Sequence, residues 1–199
     1  MASAAPSISS SDATRRAMID SQLRASGVTE PSVLARFAAV PREQYVPASA
    51  RAAAYTDRAV PLDGDGMLPA PVVHGLMLSE AGPRMTDRAL IVDGGSGYLP
   101  ALLEGLVGSI AVITPAEALQ GGEAGDFTLL LIDGAVERLP DTLVERLADD
   151  ARVATGIVED GVTRLAIGRK ITGSVALLPV AEIGIPRLAV FDAPKAWSF

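Results

Sequence analysis

Cysteine is absent from this chain of 199 residues. No disulfide framework and no thiolate metal site can be built without it. Histidine occurs once, at His74, which is too few for an imidazole-based metal centre and argues against a Ser-His-Asp triad, so no metal site is expected. Basic residues are outnumbered, 17 Lys and Arg against 24 Asp and Glu, for a net charge of −7. That balance disfavours nonspecific nucleic-acid binding, which rests on Lys and Arg neutralising phosphates. No apolar run approaches the ~20 residues that span a bilayer. Residues 1–13 are small and polar, with no positive charge ahead of an apolar stretch. They read as a disordered start rather than a signal peptide. A cytoplasmic protein with no membrane partner is the expectation.

What is present suits a globular α/β domain. Hydrophobic residues make up 49% of the chain and charged residues 21%, ample for a buried core. Helical spacing runs from Asp12, a candidate N-cap, to Ala25, with Gly27 as its stop. A second helix is expected from Pro31 to Ala39, ended by Pro41. A turn over 40–47 leads into a short helix at 48–54, and 62–71 reads as a loop. Residues 72–81 are helical. Apolar runs then alternate with helical patterns: strand 90–93, helix 98–107, strands 110–113 and 128–132, helix 136–148, strand 152–158. These runs are continuous, as in a sheet buried on both faces. Further strands are expected at 163–168 and 187–191, with an antiparallel pair among them. The fold class is therefore α/β, a mostly parallel Rossmann-like sheet. The organisation is a helical cap at 14–82 that includes a surface loop, then the sheet domain at 83–199.

The stretch Ala89-Leu-Ile-Val-Asp-Gly-Gly-Ser-Gly-Tyr98 is a strand, a glycine-rich turn and a helix start. That arrangement brings backbone N–H groups and a helix N-terminus to a ligand in many nucleotide-binding folds. Three blocks upstream are less generic: Met18-Ile-Asp-Ser-Gln-Leu-Arg24, Val40-Pro-Arg-Glu-Gln-Tyr-Val-Pro47 and Ala54-Tyr-Thr-Asp-Arg-Ala-Val-Pro-Leu62. In order and spacing they resemble the protein-L-isoaspartate O-methyltransferase family, and Gly95-Ser-Gly-Tyr98 falls where that family has its cofactor loop. Leu131-Ile-Asp-Gly-Ala-Val-Glu137 and the closing 191–199 segment are similar to a bacterial branch of it. The resemblance implies a class I methyltransferase fold, S-adenosylmethionine as cofactor, and isoaspartyl-containing proteins as substrate. In such a reaction the substrate carboxylate is already ionised, and positioning it in line with the sulfonium methyl is the main catalytic task. On this resemblance the cofactor-binding candidates are Asp93, Gly94, Gly95, Ser96, Gly97, Tyr98, Thr114 and Asp133. The substrate-side loop is Gly64, Asp65, Gly66, Met67 and Pro71. No catalytic side chain is assigned.

Four departures from the family pattern point away from turnover. Aligned without gaps, the acid expected on the strand before the loop falls on Ile91, and the first loop glycine falls on Asp93, unless Asp93 is itself the displaced acid. A side chain at that glycine position crowds close backbone approach. The strand 110–113 ends in Thr114-Pro115, where an acidic acceptor for both ribose hydroxyls is expected, and Glu117 is displaced. Only residues 116–126 separate two core strands, too few for the helix and strand that would wall the adenine pocket. The loop Gly64-Asp-Gly-Met-Leu-Pro-Ala-Pro71 carries no hydroxyl side chain.

Each singled-out residue also has a plainer reading. Gly94–Gly97 is either a retained cofactor loop or an inherited tight turn. Asp133 is either a polar group at the carboxyl end of a core strand or an N-cap. His74 reads as a buried or half-exposed helix residue without an obvious partner, and Asp65 as a solvated loop acid. Trp197 and Phe199 read as an aromatic plug, and Glu145, Asp149 and Asp150 as a solvated helix end. Two functions remain open: a compact isoaspartyl methyltransferase, and a non-catalytic descendant that serves as a protein-interaction scaffold. The shortened 116–126 connection makes 110–113 an edge strand, so a homodimer through that edge is expected.

Overall fold

The computed structural model describes residues 10–122 and 125–193. Its helical cap opens with α1, Ser10–Met18, which begins within the 1–13 segment expected to be disordered. One wide turn, Ile19–Leu23, and one tight turn, Arg24–Ser26, carry the same helix on to Gly27, as the spacing predicts. α2, Pro31–Ala39, starts on its proline and buries Val33, Leu34 and Phe37. Two 3-10 turns follow, Arg42–Tyr45 and Ala48–Ala53.

The expected loop at 62–71 is instead the tip and return arm of a small hairpin. β1, Val60–Pro61, pairs antiparallel with β2, Met67–Leu68, and Leu62 N–H donates to the Gly66 carbonyl at 2.9 Å. α3, Pro71–Ala81, follows directly and buries seven residues, among them Val73, His74, Met77 and Leu78. Because the hairpin delivers the chain into Pro71, the first turn of α3 lies over the sheet with no slack between them.

The main sheet has six strands in the order β4-β3-β5-β6-β7-β8. β3, Arg88–Val92, is flanked in parallel by β4, Ser109–Ile113, and β5, Phe127–Val136, and β5 pairs in parallel with β6, Leu147–Glu159. β7, Val162–Ile171, and β8, Ser174–Glu182, extend it antiparallel. Apolar clusters cover both faces. One joins the cap, α3 and α4, Tyr98–Leu103, to Ile91, Leu129 and Leu131; the other packs Leu90, Leu130 and Val153 against Ala118 and Phe191. Continuous apolar strands are what such double coverage requires.

Three expectations fail in the second half. No helix spans 136–148: β5 runs on to Val136, and only α6, Asp141–Val144, is helical. Pro140 excludes the helical region at Leu139 and lacks the N–H a continuing helix would use. Glu145, Asp149 and Asp150 therefore do not end a long helix; Asp149 and Asp150 lie in β6, and Asp150 pairs with Arg169 at 2.7 Å. The tail strand at 187–191 is a single bridge from Arg187 to Ala135 and then a 3-10 turn, Ala189–Phe191. β8 is the strand the sequence concealed, since Pro179 interrupts it; proline is tolerated there because β8 is an edge.

The 116–126 connection is short, as expected. It holds α5, Pro115–Ala118, and Arg146 ties its end down by donating to the Gln120 carbonyl at 2.8 Å. Ala118 and Phe191 are buried against the sheet face formed by Leu90, Leu130 and Val153. β4 nevertheless stays an edge strand, with Val112 50% exposed. Trp197 and Phe199 lie outside the described residues.

Candidate functional site

The carboxyl ends of β3, β4 and β5 converge on one edge of the sheet, where open α/β folds bind ligands. The turn from β3 into α4 brings Asp93, Gly94, Gly95, Ser96, Gly97 and Tyr98 together there. Gly97 sits at φ +70, a conformation that suits glycine, and launches α4. Gly94 lies so close to β5 that a side chain on it would meet the Asp133 carbonyl oxygen at 2.6 Å.

Asp93 does not point into an open cradle. Its carboxylate accepts hydrogen bonds from the N–H groups of Gly95, at 3.0 Å, and Gly97, at 3.1 Å. The turn thus satisfies its own amides with its own side chain. Burial and the neighbouring charge of Asp133 raise the Asp93 carboxyl above the usual carboxylate range, opposed by the Gly97 and Gly95 amides and by His74.

Thr114 ends β4 at the same sheet edge and is also engaged locally. It is the N-cap of α5: its hydroxyl accepts from the Glu117 N–H at 3.2 Å, and Glu117 reaches back to the Thr114 N–H at 2.8 Å. This reciprocal pair is a capping box. Those bonds hold the exposed Glu117 carboxyl below its ordinary range.

Asp133 is buried beneath the glycine turn, inside β5, and caps no helix. Its partner is His74: Nε2 lies 2.7 Å from Asp133 Oδ1, and both residues are at most 1% exposed. The expectation of a lone histidine fails because α3 and β5 are distant in sequence and only packing brings them together. Arg42, which the sequence did not single out, completes the group. It is fully buried, its guanidinium lies 5.0 Å from the Tyr98 ring centre, and it donates to the carbonyls of Ala54, at 2.7 Å, and Pro69. Burial lowers the Arg42 pKa, opposed by Tyr98 and Asp133, and burial raises that of the Tyr98 hydroxyl. Tyr98 also packs edge-on against Phe37 and His74 and tilted against Tyr45. Arg42 Nη1, His74 Nδ1, Tyr98 Oη and Asp133 Oδ2 make no hydrogen bond among the described residues. Nearby, burial and the hydrogen bond to Glu43 push the Tyr55 hydroxyl up to about 12.

The loop expected on the substrate side, Gly64 to Pro71, forms the roof. Gly66 packs against the turn, its Cβ position 3.4 Å from the Gly94 carbonyl oxygen, and Met67 begins β2. Asp65 is exposed, as expected of a solvated loop acid. Pro71 starts α3 and so sets where His74 lands one turn later. Among the described residues no group of three or more His, Asp or Glu side chains could hold a metal ion, and no helix is long and apolar enough to cross a membrane.

A parallel sheet extended by antiparallel strands, with a glycine turn at its carboxyl edge and a helical cap above, is the Rossmann-like architecture of class I methyltransferases. A solved Plasmodium falciparum structure, a putative protein-L-isoaspartate O-methyltransferase in complex with S-adenosyl-L-homocysteine, shares this fold. Its TM-score is 0.71 at 18% identity, over 89% of this chain and 97% of that one. The family model for protein-L-isoaspartate(D-aspartate) O-methyltransferase matches residues 13–121, more than half of the chain, and the chain belongs to that family. Among its relatives are protein-L-isoaspartate O-methyltransferases from Methanoregula boonei and Koribacter versatilis. The first is 28% identical over 168 residues, 72% of this chain and 77% of the relative. The second is 27% identical over 195 residues, 85% of this chain and 88% of the relative. A relative from Roseiflexus castenholzii is 35% identical over 127 residues, 64% of this chain and 58% of the relative.

Proposed function

We propose that this member of the family retains the methyltransferase scaffold, binds S-adenosylmethionine weakly or not at all, and acts through protein–protein contact rather than methyl transfer. The observation that carries this reading is the Asp93 carboxylate bound to the Gly95 and Gly97 amides. Those amides are the groups a ligand would use, and Asp93 adds negative charge where the cofactor's methionine carboxylate would approach. Thr114 supports the same reading, since its hydroxyl is taken by the α5 cap and cannot act as a charged bidentate acceptor for a ribose. The four-residue α5 offers little wall for an adenine ring. The residues present do not fit the cofactor.

The contact surface we assign is the β4 edge, and a second copy of the chain is the partner we expect there. Its sequence, Ser-Ile-Ala-Val-Ile, has no charge and no proline, and two-fold pairing of like edges closes without forming a filament. Titration calorimetry with S-adenosylmethionine and S-adenosyl-L-homocysteine tests the cofactor reading. No saturable heat is expected at micromolar ligand. A micromolar Kd for either compound, or cofactor retained through purification, overturns it.

A further inference from the structure

The chain contains no asparagine but five Asp-Gly pairs, at Asp63, Asp65, Asp93, Asp133 and Asp160. An aspartyl residue followed by glycine is the sequence in which a backbone amide nitrogen most easily reaches the preceding side-chain carboxyl, because glycine has no Cβ to obstruct the approach. The fold separates the five sites sharply. Asp93 is held by two backbone amides, and Asp133 is buried against His74. Asp160 and Gly161 form the two-residue turn between β6 and β7, at φ +51 and +78, clamped by eight register pairs. Asp63, Gly64 and Asp65 are exposed at the tip of a hairpin whose strands are two residues each. Short pairing makes local opening cheap there. The tip is closed by a single turn over Gly64 and Asp65.

We propose that the Asp63–Gly66 tip is a spontaneous modification site of the native protein, where aspartyl residues convert to isoaspartyl. In the step at Asp65, the Gly66 amide nitrogen attacks Asp65 Cγ. From the protonated carboxyl, an N–Cγ bond forms, the amide proton and the carboxyl hydroxyl leave as water, and a succinimide results. Water then reopens the ring. Cleavage of the bond between nitrogen and Cγ returns aspartate; cleavage at the main-chain carbonyl leaves the chain linked through the side chain. Water is lost once and regained once, so the net change is an isomerisation. The step at Asp63 and Gly64 is the same. Each conversion adds one carbon to the main chain between Leu62 and Gly66, in the turn that packs against Gly94. This inference is independent of whether the cofactor binds.

The test is to incubate the intact protein at 37 °C near neutral pH and locate isoaspartate by peptide mapping with electron-transfer fragmentation. Conversion at 63 and 65 is expected several-fold faster than at 160, with 93 and 133 unchanged. In denaturant all five sites should convert at rates within a few-fold of one another. Equal native rates at the tip and at Asp160, or conversion at Asp93 or Asp133 matching the tip, overturn the proposal. The variant Asp63→Glu with Asp65→Glu, whose longer side chains close a larger and slower ring, should lose the tip signal. Amide exchange at Leu62 should quicken with conversion in the natural chain and stay constant in the variant.

Discussion

Asp93 and His74 set most of what is particular to this site. Because the Asp93 carboxyl is raised in the folded state, the folded chain binds its proton more tightly than the unfolded chain does. Stability from this group is therefore present below the ordinary carboxylate pKa and is lost as pH rises through the raised value. Asp93→Asn keeps an oxygen for the Gly95 and Gly97 amides and removes the repulsion from Asp133. Urea unfolding at a series of pH values should show the variant at least as stable as the parent at pH 7, with that part of the pH slope gone. A variant clearly less stable at pH 7 would mean that the charged hydrogen bonds outweigh burial and repulsion.

His74 carries the opposite lesson. His74→Val leaves Asp133 buried without its partner, which should cost about 3 kcal/mol. For a chain of this length that is roughly 6–12 °C in Tm. Adding Asp133→Ala should recover part of the loss, because removing both partners leaves no unpaired polar group. Strictly additive losses in calorimetric scans would show that the pair is not coupled.

At the scale of elements, the β3–α4 turn and the β4–α5 corner are each internally satisfied. The turn holds its amides with Asp93, and the corner holds its helix end with Thr114 and Glu117. Restoring family-like residues therefore breaks local structure without rebuilding a pocket. Asp93→Gly with Thr114→Glu should lose the α5 cap, at about 1 kcal/mol. Methyl transfer to an isoaspartyl peptide should stay at background in that variant. Turnover near that of an intact family enzyme would show that the short 116–126 connection matters less than the two side chains.

Element identity was legible in the sequence wherever a single period or a proline governed it, as in α2 and in β3 to β4. It was illegible at 136–148, where apolar spacing suited a helix but Pro140 and pairing with β6 extended β5 instead. It was illegible again in β8, where Pro179 hides a strand that only an edge position permits.

For the whole molecule, the unpaired row of N–H and C=O groups along β4 is the decisive surface. Light scattering at micromolar concentration should give twice the 20.5 kDa chain mass, with amides 110–113 protected from exchange. Val112→Pro, which removes a donor facing away from β3, should return the mass to a monomer with the fold intact. A monomer in the parent chain with unprotected 110–113 amides would sink the edge pairing.

Composition, the glycine turn and the three N-terminal blocks determined the fold class and the family, because these depend on local residue patterns. The shortened connection and the edge strand could also be counted from the chain alone. Only the tertiary structure decided what the polar groups do. Arg42, His74 and Asp133 lie far apart in sequence, and packing of the cap onto the sheet makes them one buried cluster. Asp93 and Thr114 looked like candidates to touch a ligand, yet the folded turn and the helix cap engage them first. A sequence fixes which groups are available, but their partners are chosen by burial, since a polar group removed from water must bond to whatever the fold brings near.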